Sequence, residues 1–223
     1  NIIKGQKVSS INQEYLQEII QFINNSNYKF HDTKSSLNPA SDSLLNLEKH
    51  FESIYVRCND LLNIISSNRY SRHIHLIVEL IKKKIEEEIE EQSVNYKTFS
   101  LHDLCFSQSD IGIHNMISTE HGLAYVDFEY AGVDHISKLL ADLIVQPECP
   151  LNASQENMLI SGVSNTEMFI GNEWIKILHA IKPLTSLKWC LIKIKKLLIT
   201  QNASRVEELF NVYYENTTKP LLK

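Results

Sequence analysis

A short hairpin is written into an otherwise helical sequence, and its flanks carry two carboxylates and an amide. Met116-Ile-Ser-Thr and Leu123-Ala-Tyr-Val-Asp-Phe are apolar runs on either side of Glu120-His-Gly122, which reads as a tight β-turn. Antiparallel pairing of such runs brings the start of the first beside the end of the second. Asn115 precedes the first run and Asp127 closes the second, so an amide oxygen and a carboxylate come within reach of one cation. Mg²⁺ favours such hard oxygen donors, with water and phosphate filling its other positions. Asp110 lies in the polar loop just before, where it is the candidate base for a hydroxyl proton. One proton-accepting Asp, an Asn five residues on and a second Asp at a strand end are the set that kinase-type phosphoryl transfer requires.

The rest of the chain reads as helix. Residues 1–8 form an extended lead-in. Tyr15, Leu16, Ile19, Ile20 and Ile23 have helical spacing over 12–23, and the polar stretch 24–39 reads as a loop. Ser41 is placed to cap a helix running to about Ser66, and 74–92 reads as a further helix. The run Lys82-Lys-Lys-Ile-Glu-Glu-Glu sets basic residues before acidic ones, the pattern of a solvated helix face. Beyond Asp134, helices are expected at 135–146, 153–160, 166–181, 184–200 and 203–216, punctuated by Pro147, Pro150 and Pro183. Asp134 is a candidate helix N-cap. Asp142 falls inside the apolar stretch Leu139-Leu-Ala-Asp-Leu-Ile, where a buried carboxylate must find donors. Lys138 is a turn away from both Asp134 and Asp142 and reads as their ion-pair partner.

At these residues the chain resembles the aminoglycoside phosphotransferase and choline kinase-like superfamily. Its usual pattern is H-G-D-x-x-x-x-N followed by a strand ending in D-F/W-E. The likeness is nearer to a bacterial branch with S-P-S-D-F-G-F-H-N and D-F-E-Y-F-G-W-D-D-P-x-K-L-x-A-D-F. Here those stretches read Ser107-Gln-Ser-Asp110-Ile-Gly-Ile-His-Asn115 and Asp127-Phe-Glu-Tyr-Ala-Gly-Val-Asp-His-Ile-Ser-Lys138-Leu-Leu-Ala-Asp142-Leu. The match covers residues 107–147, with a looser likeness at Ile3-Lys-Gly5 and Leu187-Lys-Trp189-Cys. Gln108 stands where the branch has Pro and the wider superfamily His. Ala131 and Val133 replace aromatic residues, and Ile136 replaces Pro.

The resemblance implies a mainly α fold with a small β-hairpin, the C-terminal lobe of a protein-kinase-like fold. It implies Asp110 as catalytic base, Asn115 and Asp127 as ligands of the Mg²⁺ that accompanies ATP, and Asp142 as a brace for the catalytic loop. Residues 1–8 would be the hinge segment and 107–130 the catalytic loop and metal-binding hairpin. A kinase-like enzyme also needs a glycine-rich loop over the phosphates and a strand Lys. Nothing of that kind precedes Asp110 in a chain with six glycines. The whole of 1–223 is therefore read as a C-terminal lobe whose nucleotide-clamping N-terminal lobe is absent from this chain. Such a lobe alone would be inactive. A second copy could cover the surface it exposes, giving a homodimer.

The expected activity is ATP-dependent transfer of a γ-phosphoryl group to a hydroxyl of a small polar metabolite, with the branch pointing to sugars or surface-carbohydrate precursors. Two rivals remain: a non-catalytic kinase-like binding module, to which Gln108 lends weight, and nucleotidyl transfer on the same fold. Net charge of −5 and a pI near 6.0 argue against a nucleic-acid partner. No apolar run is long enough to span a membrane. Four scattered cysteines without a C-x-x-C fit reduced thiols in a cytoplasmic protein.

Overall fold

The structure is a computed structural model of the chain and describes residues 4–30, 37–67, 72–95, 103–165, 169 and 171–200. Its elements in order are β1 (Gln6–Lys7), α1 (Gln13–Phe30), α2 (Leu47–Ser67), α3 (Arg72–Asn95), β2 (Leu104–Ser107), a 3₁₀ turn (Ile113–Asn115), β3 (Met116–Thr119), β4 (Gly122–Tyr125), β5 (Gly132–His135), α4 (Ile136–Val145), α5 (Ala153–Ser164) and α6 (Glu173–Thr200). The fold is mainly helical with small antiparallel sheets, as expected. The helix expected at 203–216, the first residues of that expected at 166–181, and the hinge residue Ile3 lie outside the described residues; what is described of 166–181 becomes helical at Glu173. No described helix is long and apolar enough to cross a membrane.

The chain divides into two compact units, one of residues 1–45 and 98–182, the other of 46–97 and 183–223. In the first unit, β3 and β4 form the expected hairpin, in register Met116↔Tyr125 to Thr119↔Gly122. The lead-in strand β1 joins it at Gln6↔Ser118 and Lys7↔Ile117. A separate two-stranded ladder pairs β2 with β5, from Leu104↔His135 to Ser107↔Gly132. These short strands stand among helices. Leu16, Ile19 and Ile23 of α1 are buried, as are Leu139, Leu140, Leu143 and Ile144 of α4. In the second unit α2 packs on α3 through Phe51, Ile54, Cys58, Leu61 and Ile65 facing Ile74, Val78, Ile81 and Ile85, all buried and all at helical spacing.

Three local expectations are corrected. First, α1 does not end at Ile23 but continues to Phe30. Asn27, polar on paper, is buried there because its amide donates to Ile23 O at 2.8 Å and its Oδ1 accepts from Phe106 N at 2.7 Å. Second, α2 starts at Leu47, not after Ser41. Asn46 Oδ1 accepts from Lys49 N at 2.9 Å, an N-capping bond that Ser41 does not make; the Ser41 carbonyl accepts from Ser109 Oγ instead. Third, Pro183 does not split α6, which runs through it. A proline inside a helix costs about 3 kcal/mol. Buried Ile177, Leu178, Ile181, Leu184, Leu187 and Leu191 continue one apolar stripe across it, and their burial outweighs the lost bond.

Candidate active site

The polar loop 108–112 leaves β2 and enters the hairpin through the 3₁₀ turn. Its geometry is closed by its own hydrogen bonds. The Asp110 carbonyl accepts from Gly112 N at 3.1 Å and from Asn115 Nδ2 at 3.0 Å. The Asn115 amide nitrogen is thereby committed inside the loop, and its Oδ1 takes no part in that bond. The Asn115 carbonyl in turn accepts from Val126 N at 3.0 Å. This bond extends the ladder one step past Met116↔Tyr125 and brings the backbone of 126–127 against Asn115. Asn115 is buried, while Asp127 is exposed.

Asp127 adopts φ 63°, in the left-handed region that a non-glycine residue rarely enters. It lies two residues past β4, which ends at Tyr125. The chain there is no longer extended, so strand alternation does not set Glu129 on the side of Asp127. Glu129 instead accepts from its neighbour Tyr130, whose hydroxyl is thereby held above its ordinary pKa. The residue before Asp127 is held through both of its backbone polar groups. Val126 N–H donates to Asn115, and the Val126 carbonyl accepts from Gln108 Nε2. Gln108, the departure from the superfamily pattern, is thus a working part of the loop, buried with its side chain spanning to the hairpin. Aromatic rings pack around the same strand end: Phe22 stacks on Tyr125 at 3.9 Å, and Phe128 lies 6.4 Å from Phe106.

Asp110 Oδ2 lies 3.0 Å from His114 Nε2, and His114 Nδ1 lies 3.1 Å from Glu148 Oε2. Carboxylate oxygens only accept, so in each contact the ring nitrogen is the donor when it carries the hydrogen. Among the described residues Asp110 Oδ1 makes no such contact. Gln146 Oε1 accepts from Ile113 N at 3.0 Å. The segment just after α4 therefore holds the loop at two points.

β5 and α4 carry a buried ionic triad. Lys138 Nζ is 3.2 Å from Asp134 Oδ2 and 2.9 Å from Asp142 Oδ2, all three buried. Burial opposes the Lys138 charge, but the Asp142 and Asp134 carboxylates outweigh it and hold the ammonium above its ordinary pKa. Burial also raises Asp134 above the usual carboxylate range, against the pull of Lys138. Lys138 thus pairs with both expected partners. Asp134 is not the N-cap of α4. That place is taken by His135, whose Nδ1 accepts from Ser137 N, while Asp134 Oδ1 accepts from Leu44 N and His135 N. Burial pushes the His135 imidazole down to about 4. Gln146 and Glu148 carried no signal in the sequence: they lie past the helix in a Pro-flanked turn, and only the folded loop shows what they face.

Among the described residues no group of three or more His, Cys, Asp or Glu is placed to hold a metal. The expected ligands Asn115 and Asp127 would offer a pair of hard oxygens, with the remaining positions left to phosphate and water, as Mg²⁺ prefers.

No family model and no curated protein matches the chain. Solved structures do. Choline kinase from Cryptosporidium parvum Iowa II matches with a TM-score of 0.63 at 15% identity, over 99% of this chain and 70% of that one. An ethanolamine kinase from Plasmodium vivax matches at 0.57 and 13% identity, over 95% of this chain and 62% of that one. The fold is therefore that of the choline and ethanolamine kinases. The helices around one hairpin correspond to its C-terminal lobe.

Proposed function

We propose that the chain is the catalytic lobe of an ATP- and Mg²⁺-dependent phosphotransferase that acts on a hydroxyl of a small polar molecule. The observation that supports this best is the commitment of the Asn115 amide nitrogen to the Asp110 carbonyl, beside a hairpin end that presents Asp127. One short loop thus offers a proton acceptor and two cation ligands. Asp110 Oδ1 would orient the acceptor hydroxyl and take its proton as the oxygen attacks. Asn115 and Asp127 would hold Mg²⁺, which when bound neutralises the nucleotide phosphates. Choline and ethanolamine, named for the neighbouring structures, are both small alcohols, and the likeness around 107–147 adds sugars to the candidates.

The test is an assay of the encoded polypeptide with ATP, Mg²⁺ and a panel of choline, ethanolamine and hexoses, reading phosphorylated product. Turnover is expected with one class of alcohol. Asp110→Asn should lower it by roughly 10²–10⁴-fold with nucleotide affinity little changed, because it removes a proton acceptor and no phosphate contact. Equal turnover in the variant would eliminate Asp110 as base. ATP binding with no turnover on any alcohol would favour a binding module.

A further inference from the structure

Asp110 is 40% exposed in its side chain, His114 32% and Glu148 39%. Screened pairs of that kind contribute little to stability. Their effect is on orientation. A base on an open loop has free rotation about χ1, and a proton acceptor displaced by even 1 Å can cost two orders of magnitude in rate. In this loop Asp110 Oδ2 lies against one nitrogen of the His114 ring and Glu148 Oε2 against the other, and with a hydrogen on each nitrogen the ring donates to both carboxylates and links them. Glu148 sits outside the catalytic loop, on the turn that also fixes Ile113 N through Gln146.

Gly112 supplies a second, independent observation. A Cβ at this position would lie 2.5 Å from His114 Cε1 and 2.6 Å from its Nδ1. The backbone at Gly112, φ −112° and ψ 163°, is open to any residue. Glycine is therefore needed there for the space that the imidazole occupies and not for its own conformation. Loop and turn are shaped around one placement of that ring.

We infer that Glu148 is a positioning residue, acting through His114 to hold the Asp110 carboxylate in one rotamer with Oδ1 directed to the acceptor hydroxyl. The inference rests on the reading of Asp110 as proton acceptor, but its test needs neither nucleotide nor acceptor. Three-bond couplings from backbone nitrogen and carbonyl carbon to Asp110 Cγ report its χ1 populations in solution. The parent chain should give limiting couplings, one large and one small or both small, the signature of a single rotamer. Glu148→Ala should bring both to intermediate, averaged values, and Glu148→Gln, which keeps an acceptor oxygen at the same reach, should restore the parent pattern. Gly112→Ala, which displaces the ring by another route, should average them as well. If one variant fails to fold, the other still reads the ring. Parent-like couplings in a folded Glu148→Ala or Gly112→Ala chain would overturn the inference, as would averaging in the parent itself. In a chain shown to transfer phosphate, Glu148→Ala should lower kcat roughly tenfold or more with KM for ATP unchanged. An absence of any transfer would count against the proposed reaction and leave the coupling result standing.

Discussion

The loop-and-hairpin segment 103–146 and the helix pair α2–α3 solve opposite problems. The first buries polar groups: Ser107, Gln108, Asn115, Asp134, His135, Lys138, Asp142 and Gln146 are all buried. The second buries an apolar seam, with His50 its one buried polar side chain among the described residues, and leaves its other faces exposed or half-buried. Leu76, Leu80 and Val56 are open to solvent alongside Glu48, Glu52, Lys83 and Glu87. Its lone buried thiol, Cys58, is pushed up to about 12 by burial and donates weakly to Val78 O at 3.9 Å. An interior of Leu and Ile tolerates exchange of one apolar residue for another of similar size. An interior of paired ions and amides does not, because each group removed leaves another unsatisfied. Polar burial of that density is expected where a loop must be held in one shape, and here it includes Gln108 and Asn115 of the loop itself.

The largest effect on stability should come from the triad. Lys138→Met leaves Asp134 and Asp142 buried together without their cation, at a cost of about 3–5 kcal/mol. Urea denaturation monitored by circular dichroism gives the number. A loss under about 1 kcal/mol would erase the contrast with α2–α3, where exchanges of this size are absorbed.

Next comes acidity. His135 is neutral in the folded protein down to about 4, whereas an unfolded histidine takes its proton near 6.5. Between those values the unfolded chain binds more protons. Stability should therefore fall as pH is lowered from about 6.5 to about 4, by up to about 3 kcal/mol. The Asp103 carboxylate, 4.0 Å from His135 Nε2, is the group that could reduce this loss. Denaturation curves at several pH values for the parent and His135→Asn should diverge over that window only. Parallel curves would show that His135 is not held neutral.

The smallest effect is expected on the α3 surface. Lys83 and Glu87 lie 3.8 Å apart with side chains 74% and 53% exposed. Lys83→Ala should change stability by no more than about 0.5 kcal/mol, the scale of an exposed i,i+4 pair. A larger loss would mean that this face is not merely solvated, and the two regions would be more alike than they look.

The same division decides what could be read in advance. The helix pair was legible because period 3.6 is a property of the sequence itself. The hairpin was legible because two apolar runs flanked Glu120-His-Gly122. Asp110, Asn115 and Asp127 stood out as a spacing pattern, and Lys138 was placed between its two carboxylates by one helical turn on either side. What escaped were contacts between segments far apart in sequence. Nothing local marks Asn27 as the acceptor for Phe106 N, or Glu148 and Gln146 as supports for the loop. The left-handed backbone of Asp127 also escaped, since it depends on Gln108 and Asn115 gripping the peptide before it. Helix ends were misplaced at Phe30 and Leu47 because a buried, satisfied Asn and a capping Asn look like loop residues until their partners are known.

The central claim is that Asn115 and Asp127 share one divalent cation beside Asp110. Mn²⁺ titrated into the ¹⁵N-labelled chain in the presence of ADP measures this directly, because paramagnetic broadening falls off steeply with distance from the ion. The account requires the first signals to vanish to be the Asn115 side-chain amide and the backbone amides of 110–116 and 126–128, and it requires Asp127→Ala to abolish that loss. Broadening that begins instead among Glu48, Glu52, Glu86 and Glu90 of the helix pair, or that survives unchanged in Asp127→Ala, would contradict it.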